Sequence, residues 1–152
     1  MKFLILEDDV QVLSLLKLAF QRRGCEVVAY TQPESCPLNA PMCPCSMHPA
    51  CPDMILSDLD MPVTTGLEFM DRLTEKKCRC KNFALMTGKS LDREEIQRIE
   101  QSGTIFFFKP FELAQVYAWI NNVKNKSIAT EQIEIPLPSS QPVAEPGTIQ
   151  AA

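Results

Sequence analysis

Short apolar runs alternate with longer amphipathic segments along the first 125 residues of the chain. The runs lack a polar/apolar alternation, which is typical of strands that are buried on both faces of a sheet. This pattern predicts five strands, at residues 3–6, 26–30, 54–57, 83–86 and 105–108.

Four longer segments carry apolar residues every three or four positions, the spacing of one helix face. They predict helices at residues 10–23, 67–74, 92–101 and 113–123. Asp92 and Glu95 match a capping box at the start of the third helix, and Gly103 is suited to end it. Within that helix, Ile96 and Ile99 are expected to face inward. The alternation of strands and helices predicts an α/β fold with a parallel sheet covered on both faces.

Composition narrows the class of protein. The chain has 152 residues, enough for one domain, and its net charge of −4 argues against binding to nucleic acid or to an anionic membrane surface. It contains no apolar run of the length that a membrane span needs, and its first apolar stretch is too short for a signal peptide. We therefore expect a cytoplasmic protein without a nucleic-acid or membrane partner.

Chemically useful side chains follow the predicted strands. Glu7 and Asp8 come after the first strand, Asp58 after the third, Thr87 after the fourth and Lys109 after the fifth. Sites in parallel sheets form at the carboxyl ends of the strands, so these side chains are expected to meet. Clustered carboxylates need a cation, and oxygen ligands without His or Cys suit Mg²⁺. A lysine and a hydroxyl beside that ion indicate a phosphoryl group.

Four motifs in this order resemble the receiver domain of two-component response regulators. The resemblance covers roughly residues 1–125 and implies a flavodoxin-like, doubly wound, five-stranded parallel sheet with strand order 2-1-3-4-5. The motifs are Leu6-Glu7-Asp8-Asp9, Leu56-Ser57-Asp58-Leu59-Asp60-Met61-Pro62 with Gly66, Met86-Thr87-Gly88, and Phe108-Lys109-Pro110-Phe111.

The resemblance also implies roles for these residues. Asp58 is the implied phosphoacceptor, and Asp8 and Asp58 bind Mg²⁺ together with the backbone carbonyl of Asp60. Glu7 completes the acidic pocket through water. Lys109 pairs with the aspartate and then with the phosphoryl group.

Two switch residues are implied in addition, namely the hydroxyl of Thr87 and the aromatic ring of Phe106. Phe106 lies in a run of three phenylalanines, however, so it could equally be a static core residue. The peptide bond between Lys109 and Pro110 is expected to be cis, as is usual in the family.

The implied function is that of a single-domain response regulator. A sensor histidine kinase or phosphotransfer protein passes a phosphoryl group to Asp58, and the domain assists its own phosphorylation and dephosphorylation without being an enzyme in the ordinary sense. Output is expected through contact with a downstream protein. The expected contact surface is the family's helix 4, strand 5 and helix 5, here residues 92–101, 105–108 and 113–123.

Two segments depart from the family pattern. Residues 32–52 stand where the second helix is usual, and their prolines forbid a regular helix, so a Pro/Cys-rich loop is expected. Residues 126–152 are expected to form a disordered tail. The possible roles of the cysteines are Zn²⁺ binding, disulfide or redox chemistry, or simple packing. The candidate residues are Cys36, Cys43, Cys45, His48, Cys51, Cys78 and Cys80.

Two other functions agree less well with the sequence. A cysteine-based pseudo-receiver that senses metal or redox state would have no use for the complete set of phosphoryl-site residues. A haloacid-dehalogenase-type phosphatase would share the motif formed by Asp58 and Asp60. In that family, however, the motif normally opens the chain, whereas here a strand–helix–strand unit precedes it.

Overall fold

Five parallel strands form the centre of the molecule in the computed structural model, which describes residues 1–41 and 51–131, with side chains through residue 126. Their order across the sheet is β2-β1-β3-β4-β5, which confirms the predicted topology. The strands are β1 (Lys2–Leu6), β2 (Glu26–Tyr30), β3 (Met54–Asp58), β4 (Asn82–Thr87) and β5 (Ile105–Phe108).

Successive side chains along each strand point to opposite faces of the sheet, and both faces are apolar. On one face the ring of Phe3 packs against that of Phe20 in helix α1 (Val10–Gln21), with 4.8 Å between the ring centroids. On the other face, Leu4 and Ile55 pack with Phe69 of helix α2 (Gly66–Glu75). Helices therefore cover both faces, as the continuous apolar character of the strands predicts.

Helix α3 (Arg93–Ser102) begins at the predicted capping box, in which Asp92 and Glu95 bond reciprocally, and ends at Gly103 in the left-handed conformation. Ile99 is 1% exposed, whereas Ile96 is 38% exposed. The expectation that both residues face inward is thus wrong for Ile96. The short helix buries only a narrow stripe, and Ile96 lies at the edge of it.

Residues Met1–Leu113 form one compact unit, and the described residues from Ala114 to Glu131 belong to a second. Helix α4 spans Leu113–Glu131, eight residues beyond its predicted end at Val123. The added residues carry no apolar stripe, but they contain neither Pro nor Gly, so nothing in the sequence interrupts the helix. The remainder of the predicted tail, residues 132–152, lies outside the described residues. No helix in the described part of the chain is long and apolar enough to cross a membrane.

The segment that follows β2 contains no regular helix between residues 31 and 41, as its prolines predict. It forms two single 3₁₀ turns, Pro33–Ser35 and Pro37–Asn39, and buries Cys36 and Leu38 in the apolar cluster beneath α2. We call Pro33–Ala40 the covering segment. Residues 42–50 lie outside the described residues.

Polar groups of neighbouring elements hold the covering segment in place. The ammonium of Lys76, just after α2, donates to the carbonyl oxygens of Leu38, Asn39 and Ala40 at 3.3, 3.1 and 2.5 Å. The Thr64 hydroxyl donates to the carboxylate of Glu34. The bonds from Lys76 satisfy carbonyl groups that a helix would otherwise pair internally, whereas the bond from Thr64 joins two side chains.

Candidate functional site

The carboxyl edge of the sheet brings together the residues that follow the strands. Two backbone hydrogen bonds extend the strand pairing past the strand ends: Leu59 N donates to Met86 O, and Lys109 N donates to Thr87 O, each at 2.7 Å. These bonds hold Asp58, Thr87 and Lys109 at the ends of three neighbouring strands, as predicted.

Three carboxylates form an acidic cluster at this edge. Glu7, Asp8 and Asp58 each offer an oxygen, and these oxygens lie within 4.8 Å of one another. Glu7 and Asp58 are buried, at 1% and 4% exposure, whereas Asp8 is exposed. Asp9 turns away to cap helix α1, since its Oδ1 accepts from the amide of Gln11 at 2.8 Å. The predicted acidic group is therefore assembled.

Lys109 lies between the two buried carboxylates. Its Nζ donates to Glu7 Oε2 at 2.7 Å and to Asp58 Oδ1 at 2.5 Å. Burial alone would lower the pKa of Lys109, but its hydrogen bonds to Asp58 and Glu7 outweigh burial and raise that pKa. Burial raises the pKa of Glu7, and the bond to Lys109 only partly opposes this, because one ammonium is shared by two acids. Lys109 is therefore held in its charged form.

The lysine–carboxylate group retains an excess of negative charge, because one ammonium faces three acids. The cluster offers only hard oxygen ligands, and the exposure of Asp8 leaves one side open to solvent. Mg²⁺ binds to few carboxylates and retains several waters, so this donor set suits it. No Cys or His takes part, which disfavours softer metals at this position.

Thr87 and Asp60 lie beside this cluster. The Thr87 hydroxyl donates to Asp60 Oδ2 at 3.2 Å, and the amide of Asp60 donates to Asp58 Oδ2 at 2.9 Å. The second oxygen of the Asp60 carboxylate lies 2.5 Å from Nζ of Lys89. The side chain of Asp60 thus links Thr87 to a lysine that was not anticipated from the sequence. The sequence feature that could have identified Lys89 is its position two residues after Thr87.

Phe106 is not a core residue. It lies on β5 with 38% exposure and packs edge to face against Phe108, with 5.1 Å between ring centroids, while Phe107 is the buried member of the run. The period of two along a strand explains this arrangement, since neighbouring residues point to opposite faces. Its role as an aromatic switch stays a prediction. The Lys109–Pro110 peptide bond is cis, as expected.

The cysteines lie elsewhere. Cys36 and Cys78 are buried in the cluster beneath α2, and Cys51 and Cys80 pack against it. Cys51 is disulfide-bonded, whereas the thiols of Cys36, Cys80 and the separate Cys25 are free.

The arrangement of the described cysteines does not support zinc binding. Among the described residues, the acidic cluster is the one group of three or more side chains that is arranged to hold a metal ion. The described cysteines therefore do not provide the predicted Zn²⁺ site. Cys43, Cys45 and His48 lie outside the described residues.

Known proteins show the same architecture and sequence pattern. The family model for the response regulator receiver domain matches residues 3–121. The alkaline phosphatase synthesis transcriptional regulatory protein PhoP of Bacillus subtilis is 24% identical over 140 residues, which is 92% of this chain and 52% of that protein. The transcriptional regulatory protein BasR of Escherichia coli is 28% identical over 120 residues, 79% of this chain and 50% of that protein. The chain thus spans about half the length of these curated relatives.

The solved structures agree on the fold. The chemotaxis protein CheY4 of Vibrio cholerae superposes with a TM-score of 0.62 at 22% identity, covering 80% of this chain and 97% of that one. The family match extends over most of the chain, from the second residue of β1 to beyond β5, and includes the whole acidic cluster. The chain belongs to the response regulator receiver domain family.

Proposed function

We propose that Asp58 accepts a phosphoryl group from a phosphohistidine donor, a sensor histidine kinase or a phosphotransfer protein. The observation that carries this proposal is the placement of Lys109, whose ammonium contacts both buried carboxylates at the carboxyl edge of the sheet. A carboxylate oxygen of Asp58 would attack phosphorus, so that an O–P bond forms, the donor's N–P bond breaks and the histidine departs with its electron pair.

Each residue of the cluster has a distinct part in this step. Lys109 would remain protonated and attract the oxygens of the incoming group, because its raised pKa keeps it charged across the physiological range. Asp8, Asp58 and the backbone carbonyl of Asp60 would hold Mg²⁺, which supplies neutralising charge for the phosphoryl oxygens. Glu7, already bonded to Lys109, would support the cluster through water.

Thr87 would report the modification. It is fully buried at the end of β4, next to the strand that ends in Asp58. A phosphoryl group on Asp58 offers the Thr87 hydroxyl a new acceptor. The same residues would assist the later hydrolysis of the aspartyl phosphate, so the domain would influence both its own phosphorylation and its own dephosphorylation.

The test of phosphoryl transfer uses acetyl phosphate with Mg²⁺ and intact-mass measurement. The wild type is expected to gain one phosphoryl group, and Asp58→Asn to gain none. Asp53→Asn is the matched control, since Asp53 is exposed at the opposite end of β3, and it should behave as wild type. Full modification of Asp58→Asn would refute the assignment.

The division of roles within the cluster has its own test. Asp8→Ala should weaken Mg²⁺ binding more than Glu7→Ala, because Glu7 is occupied by Lys109 whereas Asp8 is exposed. Lys109→Ala should leave Mg²⁺ binding largely intact yet impair the response to phosphorylation. Equal loss of Mg²⁺ affinity in the Asp8 and Glu7 variants would contradict this division.

We propose further that a downstream protein binds at α3 and β5. Ile96 of α3 and Ile105, Phe106 and Phe108 of β5 are large apolar side chains that remain exposed, and such side chains mark interaction sites when they cluster. Phe106→Ser should reduce partner binding without reducing phosphorylation of Asp58. Loss of phosphorylation in that variant would contradict a role confined to output.

A further inference from the structure

The side chains of Asp60 and Lys89 form an ion pair at the rim of the acidic cluster, and neither side chain has a part in the roles proposed above. Asp60 follows β3 and Lys89 follows β4, so the pair joins two separate loops. Lys89 Nζ lies 2.5 Å from Asp60 Oδ1, and the side chains are 57% and 34% exposed. An exposed pair of this kind contributes little to stability, so its effect must be sought in what it positions.

The ion pair contacts Thr87 through Oδ2 of Asp60, the carboxylate oxygen that is not bound to Lys89. Thr87 has one hydroxyl proton, and the acceptors in reach are Asp60 Oδ2 at 3.2 Å and the carbonyl of Lys89 at 3.4 Å. The charged carboxylate is the nearer acceptor and the stronger one. The amide of Lys89 in turn donates to the Thr87 oxygen at 3.2 Å. Thr87 is therefore held from two sides.

Lys89 gives the Asp60 carboxylate its orientation. With Oδ1 engaged by the ammonium, Oδ2 is the oxygen that faces Thr87. The ammonium of Lys89 offsets the negative charge of Asp60 in a region that is already rich in acids. The backbone amide of Asp60 is in turn bonded to Asp58.

We propose that Asp60 and Lys89 are positioning residues that hold the Thr87 hydroxyl away from Asp58 in the unphosphorylated protein. This proposal rests on the proposed function, because Thr87 must leave Asp60 before it can donate to a phosphoryl group on Asp58. The pair thereby sets the free-energy cost of releasing Thr87 from Asp60 when Asp58 carries a phosphoryl group. Weakening the pair makes the domain switch more easily.

The first experiment measures the Thr87 side-chain rotamer in the unphosphorylated protein by NMR, through three-bond couplings of its methyl carbon. The wild type should show one rotamer, whereas Asp60→Ala and Lys89→Met should show averaged couplings. Lys89→Arg should restore the single rotamer, because it keeps the cation. Arg93→Met removes an exposed cation at the start of α3 and should match the wild type. Wild-type couplings in both Asp60→Ala and Lys89→Met would overturn the proposal.

The second experiment titrates the same proteins with beryllofluoride and Mg²⁺, which together mimic a phosphoryl group on Asp58. The concentration at half-conversion should fall about fivefold in Asp60→Ala, the effect of losing one partly exposed, charge-assisted hydrogen bond. An unchanged midpoint would overturn the proposal. A wild type that never responds would instead refute phosphorylation at Asp58, while the rotamer measurement, made without phosphoryl mimic, would still decide whether the pair holds Thr87.

Discussion

Gly66→Ala should destabilise the protein and disturb its phosphorylation together. Gly66 is the first residue of α2, and its amide donates to Leu59 O at 3.0 Å. A Cβ at this position would collide with the backbone carbonyl of Asp58 and would lie 2.8 Å from Leu85 Cδ2. The carbonyl cannot yield without moving the strand end that carries the phosphoacceptor.

The size of the effect follows from two opposing contributions. Alanine favours a helix over glycine by up to about 1 kcal/mol. Overpacking against a backbone atom costs about 3 kcal/mol, at the upper end of the usual range for such insertions. The net loss of about 2 kcal/mol corresponds to a fall in Tm of about 6 °C for a chain of this size.

Calorimetry and phosphorylation with acetyl phosphate measure the two effects in the same samples. Gly88→Ala is the matched control at the same sheet edge, because a Cβ there would meet only Lys109 Cβ, at 3.9 Å. The control should keep the Tm and the phosphorylation rate of the wild type. If Gly66→Ala did the same, the close contact between α2 and the end of β3 would be refuted.

Three further predictions concern other parts of the molecule. Lys76→Met should lower the Tm by about 3 °C, because three carbonyl groups lose a charged donor, while Lys77→Met, at an exposed neighbour, should have no such effect; equal shifts in calorimetry would contradict the role of Lys76. Ile99→Ala should cost about 3 kcal/mol in urea unfolding and Ile96→Ala less than about 1 kcal/mol, because only Ile99 is buried; similar losses would refute the orientation of α3. Burial raises the pKa of Cys80 to about 12, so its thiolate is scarce at pH 8, and iodoacetamide should label Cys80 only after unfolding. Rapid labelling of Cys80 in the folded protein, located by peptide mass spectrometry, would contradict this burial.

The sheet could be predicted from the sequence because its strands are short and continuously apolar, and because a polar residue follows each of them. The same reasoning placed Asp58, Thr87 and Lys109 at one edge, since parallel strands end together. Helix α3 was located by local signals, the capping box and Gly103, which need no tertiary information.

Other features depend on packing that a linear pattern does not contain. Ile96 satisfies the helical spacing as well as Ile99 does, and only the position of the neighbouring elements decides which residue is buried. Cysteine density left a metal site, disulfides or simple packing as possible ties for the region from Cys36 to Cys51, and Cys51 is disulfide-bonded. The linear pattern does not contain the polar contacts that Thr64, Arg72 and Lys76 make with the covering segment from more than twenty residues away. Lys89 was missed because its partner, Asp60, comes from another strand end.

Chemical mapping tests most directly whether Asp58 is the residue that carries the phosphoryl group. After incubation with acetyl phosphate and Mg²⁺, borohydride reduction converts an aspartyl phosphate to homoserine, which peptide mass spectrometry locates in the sequence. We expect homoserine at position 58 and unmodified aspartate at positions 8, 53 and 60. Homoserine at any of those other positions with Asp58 intact, or no homoserine in protein that has gained a phosphoryl group, would contradict it.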